Sequence, residues 1–180
     1  KYYTDIPVPM NGFKANITLA KCGGFYRSSR GSIQSSNYPG LGAYDKNAIC
    51  DYRIIGSRGA ALNLTFVDLN LPDARNCNTT DHIEIYSIVK GPRNSDESTT
   101  DLIGTYCGDD NPRDSILTSS EVLVRFVTMN MNNRYRGFRL TYTSSMEKCG
   151  GEVSAESGYI TSPGYPNGRP FRQYCEWRVT

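Results

Sequence analysis

The sequence predicts an all-β fold, an antiparallel two-sheet β-sandwich of jelly-roll type stapled by disulfides, and three observations carry that expectation. Several runs alternate apolar and polar residues with a period of two, no run of similar length has helical periodicity, and six cysteines accompany a repeated Cys-Gly-Gly opening. Period two marks a strand with one buried face, and short strands set off by Gly, Pro, Asn and Ser clusters belong to sandwiches.

The alternating runs can be taken in chain order. Residues 61–67 put Leu62, Leu64 and Phe66 inside and leave Asn63 and Thr65 outside. Residues 81–88 place Ile83 and Ile85 inside, with His82 and Glu84 outward. Residues 121–128 bury Val122, Val124 and Phe126, and residues 137–143 bury Phe138, Leu140 and Tyr142. The polar stretch 91–101 reads as a solvated hairpin loop. His82, the only histidine, has no serine or cysteine nucleophile motif beside it, so it reads as an exposed strand residue and no catalytic residue is predicted.

The cysteines are Cys22, Cys50, Cys77, Cys107, Cys149 and Cys175. None forms the C-x-x-C pair of a zinc ribbon or a thiol redox site. Three glycosylation sequons accompany them, at Asn16, Asn63 and Asn78. Cysteines without metal spacing, together with sequons, point to an oxidising extracellular compartment. The net charge is +2 with basic and acidic residues interspersed, which argues against the basic patch a nucleic-acid partner requires. No segment approaches the roughly 18 continuous apolar residues of a membrane span, so direct membrane insertion is not expected.

An internal repeat organises the chain. Cys22-Gly-Gly followed by Gly31-Ser-Ile-Gln-Ser-Ser-Asn-Tyr38-Pro39 recurs, at one constant offset, as Cys149-Gly-Gly followed by Gly158-Tyr-Ile-Thr-Ser-Pro-Gly-Tyr165-Pro166. Cys50-Asp-Tyr-Arg likewise parallels Cys175-Glu-Trp-Arg. Asn11-Gly-Phe13, running into Lys21-Cys22-Gly-Gly, echoes Arg136-Gly-Phe138 running into Lys148-Cys149-Gly-Gly. Three parts are therefore expected: residues 1–20 as the last strand of a preceding copy, 22–145 as a complete module, and 149–180 as the head of a following one.

Taken in order, the Cys-Gly-Gly, the Gly-x-Ile-x-Ser-x-x-Tyr-Pro turn, a second cysteine leading a strand, Cys77-Asn-Thr-Thr-Asp81, Tyr106-Cys107-Gly108 and the closing Gly-Phe strand resemble the CUB domain. The resemblance implies a two-sheet sandwich with Cys22 joined to Cys50 and Cys77 to Cys107, and by repetition Cys149 to Cys175. Many members of the family hold calcium between three carboxylates. The matching positions here are Asn70, Asp81 and Met129, with Asp68 on the same strand face as Asn70, so the set implied for the central module is degraded and no cofactor is expected there. Calcium is possible in neighbouring modules: Tyr2-Tyr-Thr-Asp5 fits the ligand-bearing strand end better and makes Asp5 a candidate ligand of the preceding module.

Abutting modules of this kind imply an extracellular, protein-ligand-binding stretch of a multi-CUB endocytic receptor, the central module serving as scaffold or spacer, with adjacent CUB modules and extracellular proteins as partners. The alternatives are non-catalytic targeting modules of an extracellular protease of tolloid or complement type, or a structural matrix or adhesion protein.

Overall fold

The structure is a computed structural model and describes residues 22–40, 44–57, 60–90, 97–129, 134–144, 150–162, 165 and 175–180. Asp5, Asn16, Cys149 and the strand expected in residues 1–20 lie outside the described residues. In chain order the strands are β1 (Gly24–Tyr26), β2 (Arg30–Gln34), β3 (Ile49–Ile55), β4 (Leu62–Asn70), β5 (His82–Lys90), β6 (Ser98–Tyr106), β7 (Ile116–Thr118), β8 (Glu121–Val127), β9 (Gly137–Ser144), β10 (Gly151–Val153) and β11 (Trp177–Val179). The only helical element among the described residues is a 3-10 turn, Cys77–Thr79.

Two sheets face each other, one in the order β1-β3-β8-β5-β6 and the other β2-β9-β4-β7. The predicted sandwich is thus the observed fold, and its central strands are the ones with the cleanest alternation. Tyr52, Ile54, Ile83, Ile85, Val122, Val124 and Phe126 from the first sheet, with Ile33, Leu62, Leu64, Phe138, Leu140 and Tyr142 from the second, form a single buried cluster. Burying each such side chain stabilises the fold by about 1.5–3 kcal/mol. Phe138 is the aromatic hub: it meets Phe126 edge-on at 5.2 Å and Tyr52 at 5.8 Å, the geometry that sets a ring's positive edge against a negative face.

The structure corrects the sequence-based expectation at several points. The pairing is not wholly antiparallel, because β1 runs parallel to β3 with Gly24 opposite Tyr52. Parallel neighbours need a crossover, and here the chain crosses through β2 in the opposite sheet before returning. The hairpin loop is shorter than residues 91–101, since Ser98 already pairs with Lys90 and β6 is an edge strand. Its outer half alternates little because Ser98, Thr99 and Thr100 are all exposed, with neither face covered.

His82 is not exposed: it is buried at the start of β5, where its ring turns back to place Nδ1 2.6 Å from the Thr80 carbonyl oxygen. Alternation gave the side of the sheet but not the covering of the ring. Glu121, on the same outer side, is also buried, held by Arg53 and Lys90. Asn63 faces outward as its register with Leu117 and Thr143 requires, yet it is half-buried between β7 and β9 with its Oδ1 shielded from solvent.

One irregularity sets up the site described next. In β4 the pairing with β9 slips at Val67, so that Phe66 lies opposite Leu140 but Asp68 lies opposite Arg139. The extra residue resets the alternation: Leu69 continues the buried row, while Asp68 and Asn70 point out of the sandwich.

Candidate functional site

Two connections and two strand ends meet at one end of the sandwich. They are the β2–β3 connection (Tyr38, Tyr44), the end of β4 (Asp68, Asn70), the start of β5 (Asp81), and the β8–β9 connection (Met129, Arg136). Two hydrogen-bonded clusters tie them together.

In the first cluster, the Arg136 guanidinium grips Asp68 through two bonds, Nε to Oδ2 at 3.1 Å and Nη2 to Oδ1 at 2.9 Å. The Tyr38 hydroxyl donates to Asp68 Oδ2 at 2.9 Å. The Arg136 backbone N–H donates to Asn70 Oδ1 at 2.9 Å. The hydrogen bond from Arg136 holds the Asp68 carboxyl below its ordinary range, against the upward push of partial burial. The same bond raises the already high affinity of Arg136 for its proton.

In the second cluster, Asp81 is buried, and each of its oxygens accepts a bond: Oδ1 from the Met129 N–H at 2.6 Å, and Oδ2 from the Tyr44 hydroxyl at 2.8 Å. Burial, then the bond to Asp81, pushes the Tyr44 hydroxyl far above the usual range, so it stays a donor. Tyr44 also lies edge-on to Phe126 at 5.2 Å, which anchors this loop in the core.

The sequence positions implied for calcium, Asn70, Asp81 and Met129, are brought to this one end. Their chemistry does not fit the ion. Ca²⁺ is a hard cation that takes six to eight oxygens and gains affinity with each negative charge. Here one position offers an amide oxygen already bonded to Arg136, one a thioether, and one a carboxylate with both oxygens engaged. Asp68, the possible substitute, is taken by Arg136. Among the described residues no three His, Cys, Asp or Glu side chains converge as a metal site.

Sequence reading missed Arg136 and Tyr38 as partners in this cluster. The only signal was the unusual phase of Val67-Asp-Leu69-Asn-Leu71, where apolar residues move to odd positions after Phe66.

Two disulfides brace the sandwich. Cys22 joins Cys50 with Cα atoms 5.3 Å apart, and Cys77 joins Cys107 at 5.5 Å. Asn78 sits exposed in the 3-10 turn, its backbone N–H capped by the Asn76 side chain. Cys175 is described, but Cys149 is not, so their expected pairing falls outside the described residues.

The outer face of the five-stranded sheet carries a charge ladder. Arg125 forms a two-pronged pair with Asp51, at 2.8 and 2.9 Å. In the same register stands Glu84, which accepts from the Tyr86 hydroxyl at 2.9 Å. Exposed Phe25 and Leu102 lie on the two edge strands of this sheet.

A disulfide-linked, two-sheet sandwich opened by Cys-Gly-Gly and closed by a Gly-Phe strand defines a class, and the CUB domain model matches residues 22–142 and 149–180: the chain belongs to the CUB-domain family. Across both stretches it is similar to cubilin of Canis lupus familiaris, 41% identical over 180 residues that make up 99% of this chain and 5% of that protein. It is also similar to bone morphogenetic protein 1 of Xenopus laevis, 30% identical over 159 residues, 88% of this chain and 20% of that protein. The chain therefore spans only a small part of either relative. Among solved structures, the MASP-1 CUB2 domain bound to Ca2+ superposes with a TM-score of 0.53 and 25% identity over 68% of this chain and 98% of that one. No helix among the described residues is long and apolar enough to cross a membrane.

Proposed function

We propose that this chain is an extracellular, protein-binding stretch of a multi-CUB receptor of the cubilin kind, and that residues 22–145 serve in it chiefly as a scaffold between neighbouring modules. The observation that carries the reading is the continuous likeness to cubilin over 99% of the chain, through the junction between the two CUB matches. The module boundaries at 22–145 and 149–180, the preceding strand in residues 1–20, the Cys149–Cys175 disulfide and glycans on Asn16, Asn63 and Asn78 belong to the same proposal. The clusters at the tip favour a scaffold role, since the carboxylates of Asp68 and Asp81 are consumed by the chain's own donors and are not presented to a partner.

A second reading, targeting modules of an extracellular protease, is favoured by the lower but still extensive likeness to bone morphogenetic protein 1. The test is uptake of labelled extracellular proteins by cells displaying the whole parent protein, with residues 22–145 intact or replaced by another CUB module. Unchanged uptake after replacement supports the scaffold role. Loss of one ligand assigns that ligand to this module. A parent that internalises nothing but cleaves a protein substrate sinks the receptor reading in favour of the protease.

A further inference from the structure

We propose that Arg136 replaces a divalent cation as the tie that holds this end of the sandwich, which makes the tip independent of calcium. The inference does not rest on the receptor reading; it follows from the geometry of β4 and its neighbours. The bulge at Val67 turns Asp68 and Asn70 outward on one strand end. Arg136 reaches both, Asp68 through its guanidinium and Asn70 through its backbone N–H. Tyr38 closes the cluster from the β2–β3 connection. Arg136 thus ties the β8–β9 connection to β4, and Asp68, bonded to both Arg136 and Tyr38, carries the link on to the β2–β3 connection.

A guanidinium suits this task. It is charged at every pH the fold survives, and its planar fork matches a carboxylate with two parallel bonds, so the partner's position and orientation are both fixed. A lysine ammonium would supply the charge but not the fork. The exchange is also consistent within this cluster: an amide at position 70 accepts from a neutral N–H without adding charge, and the negative charge of Asp68 is met by the two-pronged Arg136.

The experiment uses the full 180-residue chain. Thermal unfolding is measured in millimolar calcium chloride and in EGTA for the native sequence, Arg136→Gln, Arg136→Lys, Asp68→Asn and the Asp68→Asn/Arg136→Gln double variant. Hydrogen exchange is followed at Tyr38 and Gly40, whose N–H groups bond within the β2–β3 connection. The native melting temperature is expected to be the same in both buffers. Each single variant is expected to melt about 2–4 °C lower in both, with the double variant no worse than either single one, the mark of a shared interaction. Exchange at Tyr38 and Gly40 should rise roughly tenfold on Arg136→Gln and partly recover in Arg136→Lys.

A calcium-dependent rise in the native melting temperature overturns the proposal. So do single-variant effects that simply add in the double variant, because a residue that only fills space would not couple to Asp68. If Arg136→Gln fails to fold, Asp68→Asn and Arg136→Lys still report the coupling through their exchange rates, and unchanged protection at Tyr38 in both counts against it.

Discussion

Gly23 lies so close to strand β3 that a Cβ on it would stand 2.5 Å from the Asp51 carbonyl oxygen, and Gly150 bears the same relation to the carbonyl oxygen of Glu176. Both glycines have positive φ, +87° and +94°, the left-handed region that side chains disfavour. The Cys-Gly-Gly motif is therefore a backbone requirement: the chain must pass flush against the strand that follows the second cysteine, and β10 pairs with β11 as β1 pairs with β3. Gly23→Ala is expected to combine backbone strain with a clash against main chain that cannot rotate away, lowering stability by about 2–3 kcal/mol. Gly158→Ala, where an added Cβ meets nothing within 4 Å, is the control and should be silent. Equal effects in urea unfolding would refute this account of the motif.

What was legible in the sequence was what depends on one face being buried. Leu62, Leu64, Val122, Val124, Leu140 and Tyr142 repeat at period two because the opposite sheet covers one side of their strands, and the structure buries all of them. Hidden features needed information about partners. His82 and Glu121 stand on the polar side of their strands, and nothing local to either residue reports that the Thr80 carbonyl or the Arg53 and Lys90 side chains will enclose them. The tip cluster was half visible: matching positions brought Asp68, Asn70 and Asp81 together. Arg136, which precedes β9, and Tyr38, which follows β2, meet Asp68 only once β2, β9 and β4, distant in sequence, are paired in the four-stranded sheet.

The bulge at Val67 is an extra residue, and two changes at it should both be mild. Val67 is half exposed, so Val67→Ala should cost no more than about 0.5 kcal/mol. Deleting Val67 brings Asp68, opposite Arg139, directly after Phe66, opposite Leu140, so the pairing with β9 becomes continuous while Asp68 and Asn70 stay outward and Leu69 stays buried. The deletion is therefore expected to unfold cooperatively in calorimetry, with a loss of no more than about 1 kcal/mol. A deletion variant that no longer unfolds cooperatively would show that the extra residue does more than offset the register.

The two disulfides close loops of 28 and 30 residues and, by the chain-entropy model, each stabilises the fold by roughly 3–4 kcal/mol. Replacing Cys77 and Cys107 together by serine should lower stability by about that amount while leaving Cys22–Cys50 intact on non-reducing peptide maps. A map that links Cys50 to Cys77 in the native chain would contradict the pairing in the structure.

Glu121 and Asp68 both contribute to the acid limb of stability. Burial pushes the Glu121 carboxyl up, but hydrogen bonds from Lys90 and Arg53 outweigh it and hold the group below its ordinary range. Asp68 is lowered by Arg136. A carboxylate whose folded pKa lies below its unfolded value contributes stability that is complete above the unfolded pKa, about 4 for these groups, and is lost as pH falls through the folded value. Stability should therefore be flat near neutrality and decline below about pH 4, where the unfolded chain takes up protons before the folded one does. Glu121→Gln should flatten part of that decline. It leaves Arg53 and Lys90 uncompensated, but their side chains are 41% and 60% exposed and can be hydrated, so the cost at neutral pH should be about 1–2 kcal/mol and not the 3–5 kcal/mol of a fully buried broken pair. Urea unfolding of both proteins from pH 2 to pH 7 measures this directly. If the variant's acid decline is as steep as that of the native chain, the linkage assigned to Glu121 is wrong.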